Sequence, residues 1–139
     1  MKMYRLTDGY SSYFYTYTMN YNIKGTEVAI TAEAREYLEK KLAHLEKFLQ
    51  NVDATRADVE LQYLPAQAKM YRAEIMLYEP SLHSPLRAEA QGGALYEAID
   101  IAVGELFTEL TRTKKKRQHI FRRGALRIKD YVRGFRNRP

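Results

Sequence analysis

The chain has 139 residues, 45% of them hydrophobic, which suits one domain with flanking segments and a real core. It has no cysteine, so no disulfide framework exists and packing alone must hold the domain. No apolar run is long enough to cross a bilayer, and the start lacks the basic-then-apolar layout of a signal peptide; a soluble cytoplasmic protein without a membrane partner is expected.

Residues 1–18, MKMYRLTDGYSSYFYTYT, hold five tyrosines and read as neither helix nor clean strand. They are expected to be a flexible Tyr-rich leader or an extension upstream of a start at Met19. An aromatic arm that stacks on RNA bases is the functional alternative. NYNIKG then reads as a short strand, with Tyr21 and Ile23 on one face. Thr31 is a good N-cap for the next segment, where Ala34, Leu38, Leu42, Leu45 and Leu49 recur at helical spacing. An amphipathic helix of about 18 residues is expected. Its acids come early and its bases late, which suits the helix dipole.

ADVELQYL, KMYRAEIMLY and LRAEAQ alternate as three strands, with Ala57, Val59, Leu61, Ala73, Ile75, Leu77, Ala88 and Ala90 facing inward. One apolar face per strand means a sheet covered on one side only. The polar side carries Asp58, Glu60, Arg72, Glu74, Arg87 and Glu89, read as cross-strand ion pairs. QGGA gives the next helix a glycine N-cap. That second helix is expected over residues 94–117, with Leu95, Ala98, Ile99, Ala102, Leu106 and Leu110 as its stripe. Gly104 sits inside it for no local reason. Beyond Gly124 a helical turn without a lasting apolar stripe is expected. The fold class is therefore α+β: a β-α-β-β-β-α sandwich, with two helices on one face of a four-stranded sheet. It divides into a leader over 1–18, a folded domain over 19–117 and a basic tail over 118–139.

The net charge of +6 hides a split. Residues 1–111 carry 11 Lys/Arg and 16 Asp/Glu, a balance of −5; residues 112–139 carry 12 Lys/Arg and the single acid Asp130, a balance of +11. Such asymmetry points to a polyanionic partner, nucleic acid before membrane. No catalytic or metal constellation is present: His44, His83 and His119 stand far apart, without ligand neighbours at a useful spacing. No catalytic residue, cofactor or metal is assigned, and the chain reads as a binding protein. Its candidate RNA-binding residues are Lys40, Lys41, His44 and Lys47 on the first helix, and Arg112, Lys114, Lys115, Lys116 and Arg117 closing the second. Arg122 and Arg123 follow them in the tail. Gathered between two helices, such cations bind phosphates without reading sequence.

ITAEAREYLEKKLAHLEKF (30–48) and ALYEAIDIAVGELFTEL (94–110) resemble the two helices of the ribosome hibernation-promoting factors. These are also called ribosome-associated translation inhibitors or sigma-54 modulation proteins. The likeness runs from about Met19 to Arg117. It implies the same β-α-β-β-β-α fold and binding to the small ribosomal subunit through its RNA, in the channel of mRNA and the A- and P-site tRNAs. The basic positions it carries over are Arg35, Lys41, His44, Lys47, Arg112 and Lys116. His44 stands where a lysine is usual, and Glu105, Thr108 and Glu109 stand where the family often has Lys, Arg and Gln. The highly charged residues 118–139 do not resemble the family's dimerisation domain, so a short form, monomeric when free, is expected. The alternatives are a general double-stranded RNA-binding module and a protein-interaction module that modulates a transcription factor.

Overall fold

The structure, a computed structural model, describes residues 2–5, 13–16 and 18–136. A four-stranded mixed sheet is built from β3 (Asn20–Thr26), β4 (Arg56–Tyr63), β5 (Tyr71–Tyr78) and β6 (Leu86–Gly92), in that spatial order. β3 runs parallel to β4, and helix α1 (Ala32–Ala43) connects them; β4, β5 and β6 form an antiparallel meander. Helix α2 (Leu95–Arg136) crosses back over β5 and β6. This is the expected α+β order. Two further short strands, β1 (Lys2–Arg5) and β2 (Tyr13–Thr16), pair antiparallel as a sheet of their own. The leader was expected to hold no clean strand. Its aromatic and threonine residues have high strand propensity, and pairing satisfies backbone groups that a lone segment leaves open. Met19 is a core residue, and its backbone N–H donates to Glu46 Oε1 at 3.2 Å.

The strand alternation translates directly into a dry face. Ala57, Val59 and Leu61, then Ala73, Ile75 and Leu77, then Ala88 and Ala90 are buried against Leu38 and Leu42 of α1 and Ile99, Leu106 and Leu110 of α2. Where β3 turns towards α1, Gly25 is required: a Cβ there would lie 2.3 Å from the Val28 carbonyl oxygen. Thr31 caps α1 as its sequence predicts, its hydroxyl accepting from the Ala34 N–H at 3.1 Å. The helix is shorter than its pattern suggests. It ends at Ala43 and tightens into a 3₁₀ turn over Glu46–Phe48, with Leu45 N–H bonded to Leu42 O and Phe48 N–H to Leu45 O. Those i to i+3 bonds use carbonyls that an α-helix end leaves open, and they keep Leu45 buried. At α2 the first helical residue is Leu95, so Ala94, not glycine, precedes it; Glu97 reaches back to the Gly93 N–H at 3.1 Å.

The outer face of the sheet is polar. Glu60, Glu74 and Glu89 stand opposite one another across β4, β5 and β6. Two arginines bridge Glu74 and Glu89. Arg72 Nε donates to Glu89 at 2.8 Å and its Nη2 to Glu74; Arg87 Nη2 donates to Glu74 at 3.0 Å and also to Glu89. The Arg72 hydrogen bond, supported by the charges of Arg72 and Arg87, holds the Glu89 carboxyl below the usual range. A depressed carboxyl contributes stability that is fully present above its unfolded value, about 4.3, and is lost as pH falls through the lower folded value. Glu89→Gln is therefore expected to cost at most about 1 kcal/mol at neutral pH, because the pair is partly exposed. The difference from wild type should vanish in strong acid. Urea melts at neutral and acid pH check this; a cost that grows on acidification contradicts it.

The second helix corrects the expected organisation. It does not stop near residue 117 but runs unbroken to Arg136. Once the packed half is formed, nucleation is already complete and each added residue propagates cheaply. Lys, Arg, Leu, Ala and Gln favour continuation, while Gly124 costs only about 1 kcal/mol. The cations fall at the C-terminal end of the dipole, which stabilises them there. The stripe also lasts. Ile120, Phe121 and Ile128 follow buried Ala102, Val103 and Leu110 by about five whole turns, yet they are exposed because the sheet has ended. Gly104 lies on the exposed side, and a Cβ there would meet nothing within 4 Å. Packing does not demand it. Gly104→Ala is expected to stabilise the fold by about 1 kcal/mol, seen as a rise of a few degrees in Tm; an unchanged or lower Tm contradicts this.

Candidate nucleic-acid interface

The two helices lie side by side and meet through aromatic rings. On α1, Tyr37 donates its hydroxyl to Asp100 Oδ1 at 2.6 Å and packs edge-on against Tyr96 at 4.6 Å between centroids. Lys41 Nζ lies 3.4 Å from the same carboxylate oxygen and 5.3 Å from the centre of the Tyr37 ring. Further along the seam, Phe48 meets Phe107 edge-on at 5.2 Å. Two ammonium groups then share the Phe48 ring: Lys47 at 5.8 Å and Lys114 at 5.7 Å from its centroid. One comes from the 3₁₀ turn that follows α1 and one from α2. The ring quadrupole favours a cation over its face and offsets part of their mutual repulsion.

The electrostatics of the seam are graded. The hydrogen bond to Asp100 raises both the Tyr37 hydroxyl and the Lys41 ammonium above their ordinary values. Lys41 therefore stays protonated, but its charge is largely spent on Asp100. Arg112 is likewise paired, its Nη1 donating to Glu109 at 2.9 Å. Among the described residues, Lys47, Lys114, Lys115, Lys116, Arg122 and Arg123 have no acidic partner. Asp100→Asn keeps an acceptor for Tyr37 and releases the full charge of Lys41. Tighter binding to RNA at low salt, by up to about fivefold, is the expected result of a filter-binding titration. Weaker binding would show that Lys41 faces no phosphate.

The structure brings together some of the predicted cations and separates others. Lys40, His44 and Lys47 are exposed beside the half-exposed Lys41. By the ~100° turn per helical residue, Lys114 lies on the α1 side of α2, in line with Tyr96, Asp100 and Phe107, and Lys115 and Arg122 point outward next to it. Arg112, Lys116 and Arg123 fall on the opposite flank of α2, away from α1. Arg35 lies on the flank of α1 away from Lys41. Arg117 turns back towards the β5–β6 connection, where its Nη1 donates to Ser81 Oγ at 3.1 Å. The continuous seam is thus Lys40, Lys41, His44, Lys47, Lys114, Lys115 and Arg122, and α2 carries it onward through Lys129 and Arg133, while Arg127 falls on the flank of Lys116 and Arg123. Sequence reasoning missed Lys129 and Arg133 as site residues because the helix was expected to end. It also missed Asp100. Tyr96 and Asp100, four residues apart, were the available signal that one flank of α2 is built to meet α1.

Residues 21–118 match the family model described as sigma 54 modulation protein / S30EA ribosomal protein. The chain is 29% identical over 104 residues to the ribosome hibernation promotion factor of Bacillus subtilis (strain 168), covering 75% of this chain and 53% of that protein. A similar relation holds to the Deinococcus radiodurans protein of that name, 30% identical over 102 residues, with 52% of it covered. The chain spans about half the length of these curated relatives, whereas it covers 100% of the ribosome hibernation promoting factor of Salmonella typhimurium, at 29% identity over 105 residues. Among solved structures, the N-terminal domain of Thermus thermophilus Protein Y superposes with a TM-score of 0.57 at 33% identity, over 69% of this chain and 98% of that one. With the family model matching residues 21–118, well over half of the chain, the chain belongs to the sigma 54 modulation protein / S30EA ribosomal protein family.

Proposed function

We propose that this protein binds the ribosome and acts in its hibernation, by occupying the mRNA and tRNA channel of the small subunit. The observation that carries the reading is the basic seam on a rigid family scaffold. Lys47, from the 3₁₀ turn after α1, and Lys114, from α2, converge on Phe48, and α2 extends the same charge beyond the sheet. The sandwich fills space, the seam and arm exchange counterions for ribosomal phosphates, and mRNA and tRNA lose their place. No bond is made or broken, so the protein works by occupancy and not as an enzyme. In this reading residues 19–117 are the ribosome-binding body, residues 118–136 are a helical arm and the free protein is a cytoplasmic monomer.

Competition tests it. Small subunits preloaded with mRNA and initiator tRNA should bind the protein much more weakly than empty ones, and free duplex RNA should compete poorly. Equal binding to loaded and empty subunits rejects the channel. Equal affinity for free duplex and for subunits turns the reading into that of a general double-stranded RNA-binding protein.

A further inference from the structure

The apolar stripe of α2 does not end with the sheet. On the body it is buried as Ile99, Leu106 and Leu110. On the arm it continues as Ile120, Phe121, Ile128 and Val132, which are 70%, 77%, 66% and 52% exposed. At the ~100° turn per helical residue these four fall within about one third of the helix circumference and run about 18 Å along its axis. Contiguous exposed apolar surface of this kind marks an interaction site. At its foot the stripe opens into a hollow walled by Gln50, His83 and Gln118. Two further observations say what covers it. Gly124 lies in the middle of the stripe, between Ile120 and Ile128, and a Cβ there would meet nothing within 4 Å. Glycine weakens a helix interior, and no contact among the described residues requires it here. What it offers is a notch where a second backbone can come close. The other observation is charge. Arg123 and Arg127 border the stripe on one side, Arg122 and Lys129 on the other, and all four are exposed. The only acid from residue 112 onward is Asp130, on the side of the helix away from the stripe.

We propose that this stripe docks an acidic amphipathic helix of another protein, its apolar side laid along residues 120–132 and its backbone closest at Gly124. Carboxylates on both borders of that helix meet Arg123 and Arg127 on one side and Arg122 and Lys129 on the other. A second copy of the arm does not fit, since it brings the same excess of positive charge. A nucleic acid satisfies the cations but leaves Ile120, Ile128 and Val132 in water. A lipid surface takes apolar bulk anywhere along the helix and gains nothing from a glycine notch. A helix with acidic borders satisfies the stripe, the notch and the cations together. The inference concerns the arm alone and does not depend on ribosome binding.

The probe is a designed helical peptide of about three heptads, with leucine along its apolar seam and glutamate on both borders. It is titrated into the whole protein by calorimetry at moderate salt. It should bind, and versions with lysine for the glutamates or serine for the leucines should bind at least about tenfold more weakly. Ile128→Ser in the protein should weaken the glutamate probe about tenfold. Gly124→Leu should weaken it by a similar factor, although that variant gains helix propensity and apolar surface. Both positions are exposed, so melts of the two variants should match wild type within a few degrees. No binding of the glutamate probe overturns the inference. So does a serine version that binds as well, because charge alone then holds it, and so does a Gly124→Leu variant that grips the probe more tightly. Vesicles of phosphatidylglycerol test the lipid alternative: binding that Ile128→Ser abolishes and Gly124→Leu strengthens assigns the stripe to a membrane. A dimer in sedimentation equilibrium that Ile128→Ser dissolves assigns it to a second copy. Either result also overturns the inference.

Discussion

Cutting the chain after Arg117 is expected to lower affinity for small subunits on the order of a hundredfold at low salt and to flatten the salt dependence. The cut removes Arg122, Arg123, Arg127, Lys129, Arg133, Arg136 and Arg138. Each phosphate contact among them contributes about 0.7 to 0.9 to the log–log slope, so several contacts give a large change. Stability should not follow. The last core residue of α2 is Leu110, and residues 118–130 are exposed throughout. The two readouts are thus separable: a melt reports the body, and sedimentation of the variant with subunits at two salt concentrations reports the arm. An unchanged affinity and slope would mean that the arm touches no RNA.

The second large effect lies inside the body. Leu106 is fully buried between α2 and the sheet. Leu106→Ala deletes apolar contact and leaves a cavity in a small core, a loss of about 2 to 5 kcal/mol. Against a total stability of about 5 to 15 kcal/mol for a domain, this is enough to leave part of the population unfolded at growth temperature. Leu126→Ala on the same helix is the control. Leu126 is 60% exposed, so the same chemical change should stay within about 0.5 kcal/mol. Urea unfolding of both variants reads the contrast. Similar losses in the two would mean that the arm packs on the body in solution, against the structure described here.

The sheet and its dry face were legible because a period of two in the sequence has one structural meaning when only one side is buried. Ala57, Ile75 and Ala88 could be placed from spacing alone. The ion pairs between Arg72, Glu74, Arg87 and Glu89 followed from the same alternation. The C-terminal ends of the helices were not legible. Nothing in HLEKF breaks a helix, yet the chain must reach β4, and closure of that connection tightens α1 into a 3₁₀ turn. In α2 the opposite error arose, since Gly124 resembles a stop signal but lies in a helix already nucleated upstream. Of the candidate site, the types of residue were readable and their grouping was not. Helical phase splits Lys114 from Arg112 and Lys116, and only the tertiary contact of Phe48 with Phe107 places Lys47 next to Lys114.

The most direct measurement is sedimentation of the purified protein with small subunits through sucrose gradients over a series of salt concentrations. A scaffold that grips ribosomal phosphates through a seam and an arm should travel with the subunit at low salt and leave it along a straight log–log line with a slope of several units. Binding that ignores salt, or failure to travel with the subunit even when salt is low, would contradict it.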